Sequence, residues 1–397
     1  MSLYLAVFMV ALSAALVATP LAQRTALRLD IVDRPGGRKA HHAPVPYLGG
    51  LAIYVGFMLF LVAVVVLNRT DPRTPLVQAL AILAGATLMV VLGLLDDRFS
   101  LRPLLKLGGQ LLSAAVLYAA GIHFSFNHFG YLDAPISLLW VVGMTNAFNL
   151  LDNMDGLSVG TAAIACTYFF VLAVLEPTKQ YLVASMAVAL GGACFGFLYY
   201  NFNPARIFMG DAGSLFLGFM LAVLGLKIKM NFFQNLHAVN FFVPVVVLGI
   251  PIFDTTLVTV SRLRRRVPIG RGGHDHTSHR LVLLGLTVRE AVLAVYLVAG
   301  ALGLAGILLT VAGFKSGMTL VALLIASGIV AGYKLEQAYS RHLSAVSHQL
   351  SAVSQQPSAI GPQPKVADNQ QPVQAAGEPL MAHQQPAPVP GQQEADS

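Results

Sequence analysis

Long apolar runs separated by short polar stretches fill the chain to about residue 340. A helix needs roughly 20 residues to cross a hydrocarbon core, and about eleven runs meet that length. They lie near 2–19, 48–67, 76–95, 103–120, 135–151, 157–175, 180–200, 213–230, 240–260, 289–312 and 316–334. The fifth is short, and the eighth opens in a Gly-rich turn. From about Arg341 onward the chain is rich in Gln, Pro, Ala and Ser. Such a segment buries too little apolar surface to offset its ordering entropy. The pattern therefore predicts an all-α polytopic membrane domain over 1–340 and a disordered tail over 341–397.

Composition agrees with the pattern. Of the 397 residues, 56% are hydrophobic and 11% charged, against about a quarter charged in a soluble domain. The net charge of +7 does not point to nucleic acid, because the basic residues sit in short loops between apolar runs, where they orient a membrane protein. Cys166 and Cys194 both fall inside apolar runs, so they read as buried free thiols without disulfide or metal spacing. No basic residue precedes the first apolar run, whereas Arg24, Arg28, Arg34, Arg38 and Lys39 follow it. A cleaved signal carries its charge in front, so the first run is expected to be a retained helix with its N-terminus outside.

Alternating the spans from that start puts 20–47, 96–102, 152–156, 203–211, 261–288 and the C-terminal tail on the cytoplasmic side. About 19 of the 25 Lys and Arg fall there, the bias the positive-inside rule requires. The same assignment brings the polar clusters to one membrane face, as a single shared site would.

Those clusters carry the candidate chemistry. Asp96 and Asp97 end an apolar run; adjacent carboxylates repel unless a cation is near, which suits a metal or a phosphate-handling base as well as a solvated helix end. Lys106 could neutralise a phosphate or one of these carboxylates, or anchor a span end. Asn146, Asn149 and Asp152 repeat every three residues along one helix face, and Asp155 follows where Gly156 permits a turn. Such a face looks toward protein or water, and an interhelical polar seam is the alternative. Asp211 stands between Gly210 and Gly213 just before a span. Glycines allow a bound diphosphate to approach the backbone, making Asp211 the first candidate Mg²⁺ ligand. The run Arg262–Arg266 reads as a lipid-headgroup anchor. Beyond it, His274, His276, His279 and Arg280 could bind a diphosphate or share a metal. Arg38, Lys39 and His41, in a Pro/Gly-constrained loop, suit a phosphate-rich ligand or serve topology alone.

Taken together, the stretches DRPGGRK-x-H-x-x-P-x-P-x-x-GG, GLLDDR with K-L-x-x-Q, NAFNLLDNMDG, IFMGDAGSLFLG and HDHTSHRL resemble the polyprenyl-phosphate N-acetylhexosamine-1-phosphate transferase family. They run in the family's order from residue 33 to 281. The resemblance implies ten or eleven helices around a cytoplasmic catalytic cleft in the bacterial inner membrane. It implies transfer of a HexNAc 1-phosphate from a UDP-sugar to undecaprenyl phosphate with release of UMP. Mg²⁺, or Mn²⁺, would be held by Asp211 and Asp152, with Asp96 or Asp97 acting as base or second ligand. It gives Asp96 and Asp97 a catalytic part and places Lys106, Asn146, Asn149, Asp152 and Asp155 around the nucleotide sugar. Arg38, Lys39, His276, His279 and Arg280 are then placed near the phosphates, and a homodimer is compatible with the family. The loop His-Asp-His-Thr-Ser-His and the stretch Pro-Val-Pro-Tyr-Leu-Gly-Gly depart from the phospho-MurNAc-pentapeptide branch and favour the GlcNAc branch. Two rivals of other classes are a multi-pass transporter, with ionisable groups at mid-membrane, and an intramembrane aspartyl protease, with two facing aspartates.

Overall fold

The computed structural model describes residues 2–33, 44–67, 76–125, 129–176, 180–229, 241–268, 270 and 273–354. Arg34, Arg38, Lys39 and His41 lie outside these residues, as do 355–397 of the tail.

The apolar runs fold as helices: α1 (Ser2–Arg28), α2 (Gly49–Leu67), α3 (Leu76–Phe99), α4 (Pro103–Ala119), α5 (Asp133–Leu151), α6 (Leu157–Leu175), α7 (Tyr181–Asn201), α8 (Gly210–Lys227), α9 (Phe242–Val247), α10 (Gly249–Arg265), α11 (Thr277–Leu283), α12 (Val288–Val311) and α13 (Phe314–Ser354). Among the described residues, eight helices are long and apolar enough to cross a membrane, with two shorter apolar helices among the rest. Leucines such as Leu3, Leu104 and Leu297 point outward and are exposed, the surface a lipid belt would cover. The chain is an all-α multi-pass membrane protein.

Helix α8 is the centre of the bundle. Every residue in it except Asp211 and Lys227 is buried, against α2, α3, α5 and α6. Small residues let the backbones meet, the main device of packing in lipid. A Cβ on Gly93 of α3 would run into the Ala212 backbone. On the flank, Ala11 and Ala15 of α1 face Gly192 and Gly196 of α7.

Four boundaries differ from the sequence expectation. Helix α8 starts at Gly210, so Asp211 lies in its first turn and not in a preceding loop. Helix α5 stops at Leu151, so Asp152 is its C-cap, off the helical face of Asn146 and Asn149. The ninth run is two helices joined at Leu248. Pro251 explains the break, because its ring clashes with the carbonyl four residues back and supplies no N–H. Finally, α13 continues to Ser354, past the change in composition at Arg341.

One antiparallel strand pair, β1 (Val32–Asp33) with β2 (Val45–Pro46), closes the first loop. Its second strand docks on the chain before α8: Phe208 N donates to Pro46 O (2.8 Å), and Gly50 N donates to Met209 O (2.8 Å). The first polar loop is thereby fastened to the start of the central helix.

Candidate active site

The C-terminal end of α3, the N-terminal end of α8 and the turn after α5 meet around a cavity of about 580 Å³, within the usual range for a small-molecule site. Six carboxylates line it: Asp33, Asp96, Asp97, Asp152, Asp155 and Asp211.

Lys106 is the hinge of the charge arrangement. Its Nζ donates to Asp96 Oδ2 (2.6 Å) and to Asp211 Oδ2 (2.7 Å). Asn149 Nδ2 donates to the other oxygen of Asp211 (2.8 Å) and to Ser214 Oγ (2.9 Å). Asp97 receives the N–H groups of Asp211 (2.8 Å) and Ala212 (3.2 Å). These are orphan donors of the first helical turn, where a carboxylate also meets the positive end of the helix dipole. Asp97 therefore caps α8 and fixes the backbone that carries Asp211. Gly210 enters this turn at φ +71°, a conformation that favours glycine. Asp96 accepts from Leu101 N (2.7 Å), closing the turn between α3 and α4.

The turn after α5 supplies the opposite wall. Asp155 accepts from Asn203 Nδ2 (3.0 Å) and Ala205 N (2.9 Å), so its carboxylate also ties that wall to the 203–205 turn. Asp152 accepts no hydrogen bond from the described residues. Burial, and then the charges of Asp211, Asp97 and Asp155, push its carboxyl up to about 8. The wall is short of positive charge.

Whether these residues fit a divalent cation follows from the donor set. Hard carboxylate oxygens in excess of nearby cations suit Mg²⁺. Among the described residues no three His, Cys, Asp or Glu side chains form a ready-made cage. Mg²⁺ needs none, since one or two carboxylates with substrate phosphates and waters complete its shell. The fit is good for an ion that arrives with a diphosphate.

Other expected site residues lie elsewhere. Asn146 sits outside the cavity lining in a reciprocal pair with Gln110 (2.6 and 3.3 Å), the interhelical seam of the alternative reading. The histidine segment lies behind the cavity wall and not on it. His276 Nδ1 is 2.8 Å from Asp254 Oδ2, and Thr277 N donates to Asp254 Oδ1 (2.6 Å). Ser278 Oγ donates to Asn153 Oδ1 (2.6 Å), and Asn153 does line the cavity. Arg280 is fully buried. Asp254, Asn153 and Ser278 are contributors the sequence reading passed over. Asp254 stands alone in an apolar run, and that isolation was the available signal.

The His279 ring lies 4.7 Å from that of His274. Burial, then the neighbouring imidazoles of His274 and His276, press its pKa down to about 4 from 6.5. The folded protein thus binds this proton less readily than the unfolded chain, so its contribution is complete above pH 6.5 and is lost as pH falls toward 4. Thermal unfolding measured across that window should show declining stability, and His279→Gln should flatten the decline. An unchanged slope in the variant would assign the acid sensitivity to another group.

The protein is thus an all-helical membrane protein with a carboxylate-lined cavity, bridged by Lys106, at the ends of its apolar helices. Residues 79–229 match the model of glycosyl transferase family 4. The probable undecaprenyl-phosphate N-acetylglucosaminyl 1-phosphate transferase of Bacillus subtilis is 34% identical over 80% of this chain and 88% of its own length. The decaprenyl-phosphate N-acetylglucosaminephosphotransferase of Mycolicibacterium smegmatis is 33% identical over 74% of this chain and 79% of its own. The undecaprenyl-phosphate alpha-N-acetylglucosaminyl 1-phosphate transferase of Yersinia pestis is 27% identical over 80% and 87%. The chain belongs to glycosyl transferase family 4.

Proposed function

We propose that this protein transfers N-acetylglucosamine 1-phosphate, or a related HexNAc 1-phosphate, from a UDP-sugar to a polyprenyl phosphate. The observation that carries the reading is the chain of hydrogen bonds at the cavity from Asp96 through Lys106 to Asp211 and from Asp211 to Asn149. The names of the relatives supply the donor sugar and the acceptor class.

In the reaction an oxygen of the lipid phosphate bonds to the sugar-linked phosphorus, and the bond from that phosphorus to the UMP oxygen breaks. Both partners are anions, so repulsion is the barrier to reduce. Mg²⁺, when bound, neutralises diphosphate charge and stabilises the departing UMP. Asp211 and Asp152 are the residues proposed to hold it. Lys106 keeps Asp211 and Asp96 in place and offers positive charge beside the diphosphate. Asn149 orients Asp211 through its second oxygen. A lipid phosphate is already ionised at neutral pH, so direct attack needs no strong base, and Asp97, engaged by two backbone amides, serves as a helix cap.

A cytoplasmic site in the bacterial inner membrane fits this reading. Arg98 and Arg102 flank the α3 end of the cavity, and α10 ends in Arg262, Arg264 and Arg265, the positive-inside signature. UDP-sugars are cytosolic, while an isoprenoid tail stays in lipid; a rim site joins them. A transporter or an intramembrane protease would need its carboxylates at mid-helix, whereas Asp96, Asp97 and Asp211 stand at helix ends.

The test uses purified protein, undecaprenyl phosphate, Mg²⁺ and radiolabelled UDP-GlcNAc, scoring label in the organic phase together with UMP. Lipid-borne label that disappears with EDTA and returns with Mg²⁺ is the expected result. Transfer only from UDP-MurNAc-pentapeptide would move the protein to the other branch. Absence of transfer from every UDP-HexNAc by folded protein would overturn the reading.

A further inference from the structure

The last helix meets the segment that lies behind the cavity wall. Most of the α13 span is exposed, with only 17% of its apolar window buried. Lipid-facing side chains therefore fix its position poorly. Near its middle, Glu336 and Tyr339, three residues apart on one face, meet the 275–280 segment.

Arg280 is the residue they meet. Its side chain is wholly buried, and an uncompensated buried charge is strongly destabilising. Nε donates to Asp275 O (2.8 Å), and Nη1 donates to Glu336 Oε2 (2.6 Å). Nη2 finds no hydrogen-bond partner among the described residues, but the guanidinium lies over the Tyr339 ring at 4.8 Å. The negative face of the ring is a fitting neighbour for it. The Asp275 carboxylate is not free to help. It is already taken by Arg262, through Nε (2.9 Å) and Nη2 (2.6 Å), and by Arg265 Nη2 (2.8 Å). Three guanidinium groups thus share Asp275, Glu336 and the Tyr339 ring, which Arg265 also approaches at 5.0 Å. Glu336 Oε1 accepts from Ser261 Oγ of α10 (3.1 Å), so one side chain fastens α10, α11 and α13 together.

This knot continues to the cavity. Two residues before Arg280, Ser278 donates to Asn153, which stands between Asp152 and Asp155 on the cavity wall. We propose that Glu336 and Tyr339 are positioning residues: by latching Arg280 they hold the 275–280 segment, and through Ser278–Asn153 they set the wall that carries Asp152. The effect on turnover rests on the transferase reading above; the latch itself does not.

The variants Glu336→Gln, Tyr339→Leu and Tyr339→Phe in the full-length protein test it, each with and without Ser278→Cys as a buried thiol reporter. Cys166 and Cys194 are buried and give little background. Glu336→Gln and Tyr339→Leu should lower kcat per folded molecule about 100-fold, the scale of a displaced reacting group. They should raise maleimide labelling at position 278 about tenfold, as local opening would. Tyr339→Phe keeps the ring and should match the unsubstituted protein in both. Loss of activity only in proportion to loss of folded protein, with kcat, KM and labelling unchanged, would overturn the proposal. If Glu336→Gln does not fold, the Leu and Phe variants at 339 decide: equal behaviour of the two refutes the latch. If the unsubstituted chain transfers no HexNAc 1-phosphate, the functional reading fails, and labelling alone decides the latch.

Discussion

Asp211→Asn is expected to lower transfer about 10³-fold while leaving the fold in place, because loss of the charge proposed to hold the metal forfeits several kcal/mol of transition-state stabilisation at ~1.4 kcal/mol per decade. The substitution keeps size and shape in the first turn of α8, and the backbone N–H of residue 211 still reaches Asp97. What disappears is the negative charge that faces Lys106 and Asn149. The Asp211 side chain is 31% exposed, so solvent limits the cost to stability. Melting temperature should move by a few degrees at most, and half-saturation for Mg²⁺ should rise. Full activity in the variant, or an unaltered Mg²⁺ requirement, would remove Asp211 from the metal site.

Lys106→Met should also disable transfer, by about 100-fold or more, the loss seen when one preorganised donor is removed from a reacting centre. Its effect on metal binding should have the opposite sign. In the present geometry one ammonium group occupies an oxygen of Asp96 and an oxygen of Asp211. Removing it frees both oxygens and deepens the negative potential of the cavity. Two carboxylates left facing each other repel, and a divalent cation relieves that repulsion. Mg²⁺ should therefore protect Lys106→Met against thermal unfolding more than it protects the unsubstituted protein. The two variants together separate charge delivered to the substrate from charge delivered to the metal. Weaker Mg²⁺ protection in Lys106→Met would show that lysine and cation do not compete for the same oxygens.

The sequence made the helices and the carboxylate cavity readable for the same reason. A charged or amide side chain at the end of an apolar run is costly to face toward lipid, so Asp96, Asp97, Asn149, Asp152 and Asp211 announced a polar meeting point. Which partner each one meets was not readable, because periodicity defines a face and not the neighbour across it. Asn146 shares a face with Asn149, yet α4 presents Gln110 to the first and α8 presents Asp211 to the second. The partners of Asp254 and Glu336 come from 22 and 56 positions away, beyond anything helical periodicity reports. The break at Leu248 had a local cause, the nearby Pro251, and a stricter reading of that proline would have found it. Asp211 looked like a loop residue because Gly210 and Gly213 flank it. In the fold these glycines serve close approach, with Gly50 N bonded to Met209 O just ahead of them.

The enclosure of α8 divides the molecule into a part that resists change and a part that tolerates it. Its first turn carries Asp211 and is wedged between the backbones of α2 and α3, so almost any enlargement there displaces a helix. The segment after α7, residues 202–208, is built from turns, which accept new side chains and insertions at smaller cost, whereas residues 152–155 carry Asp152, the second proposed metal ligand. On the proposed transferase reading, donor preference can drift along the 202–208 turns over evolutionary time, or be redirected in the laboratory, while Asp152 and Asp211 stay fixed. Libraries aimed at a different sugar should begin at those turns.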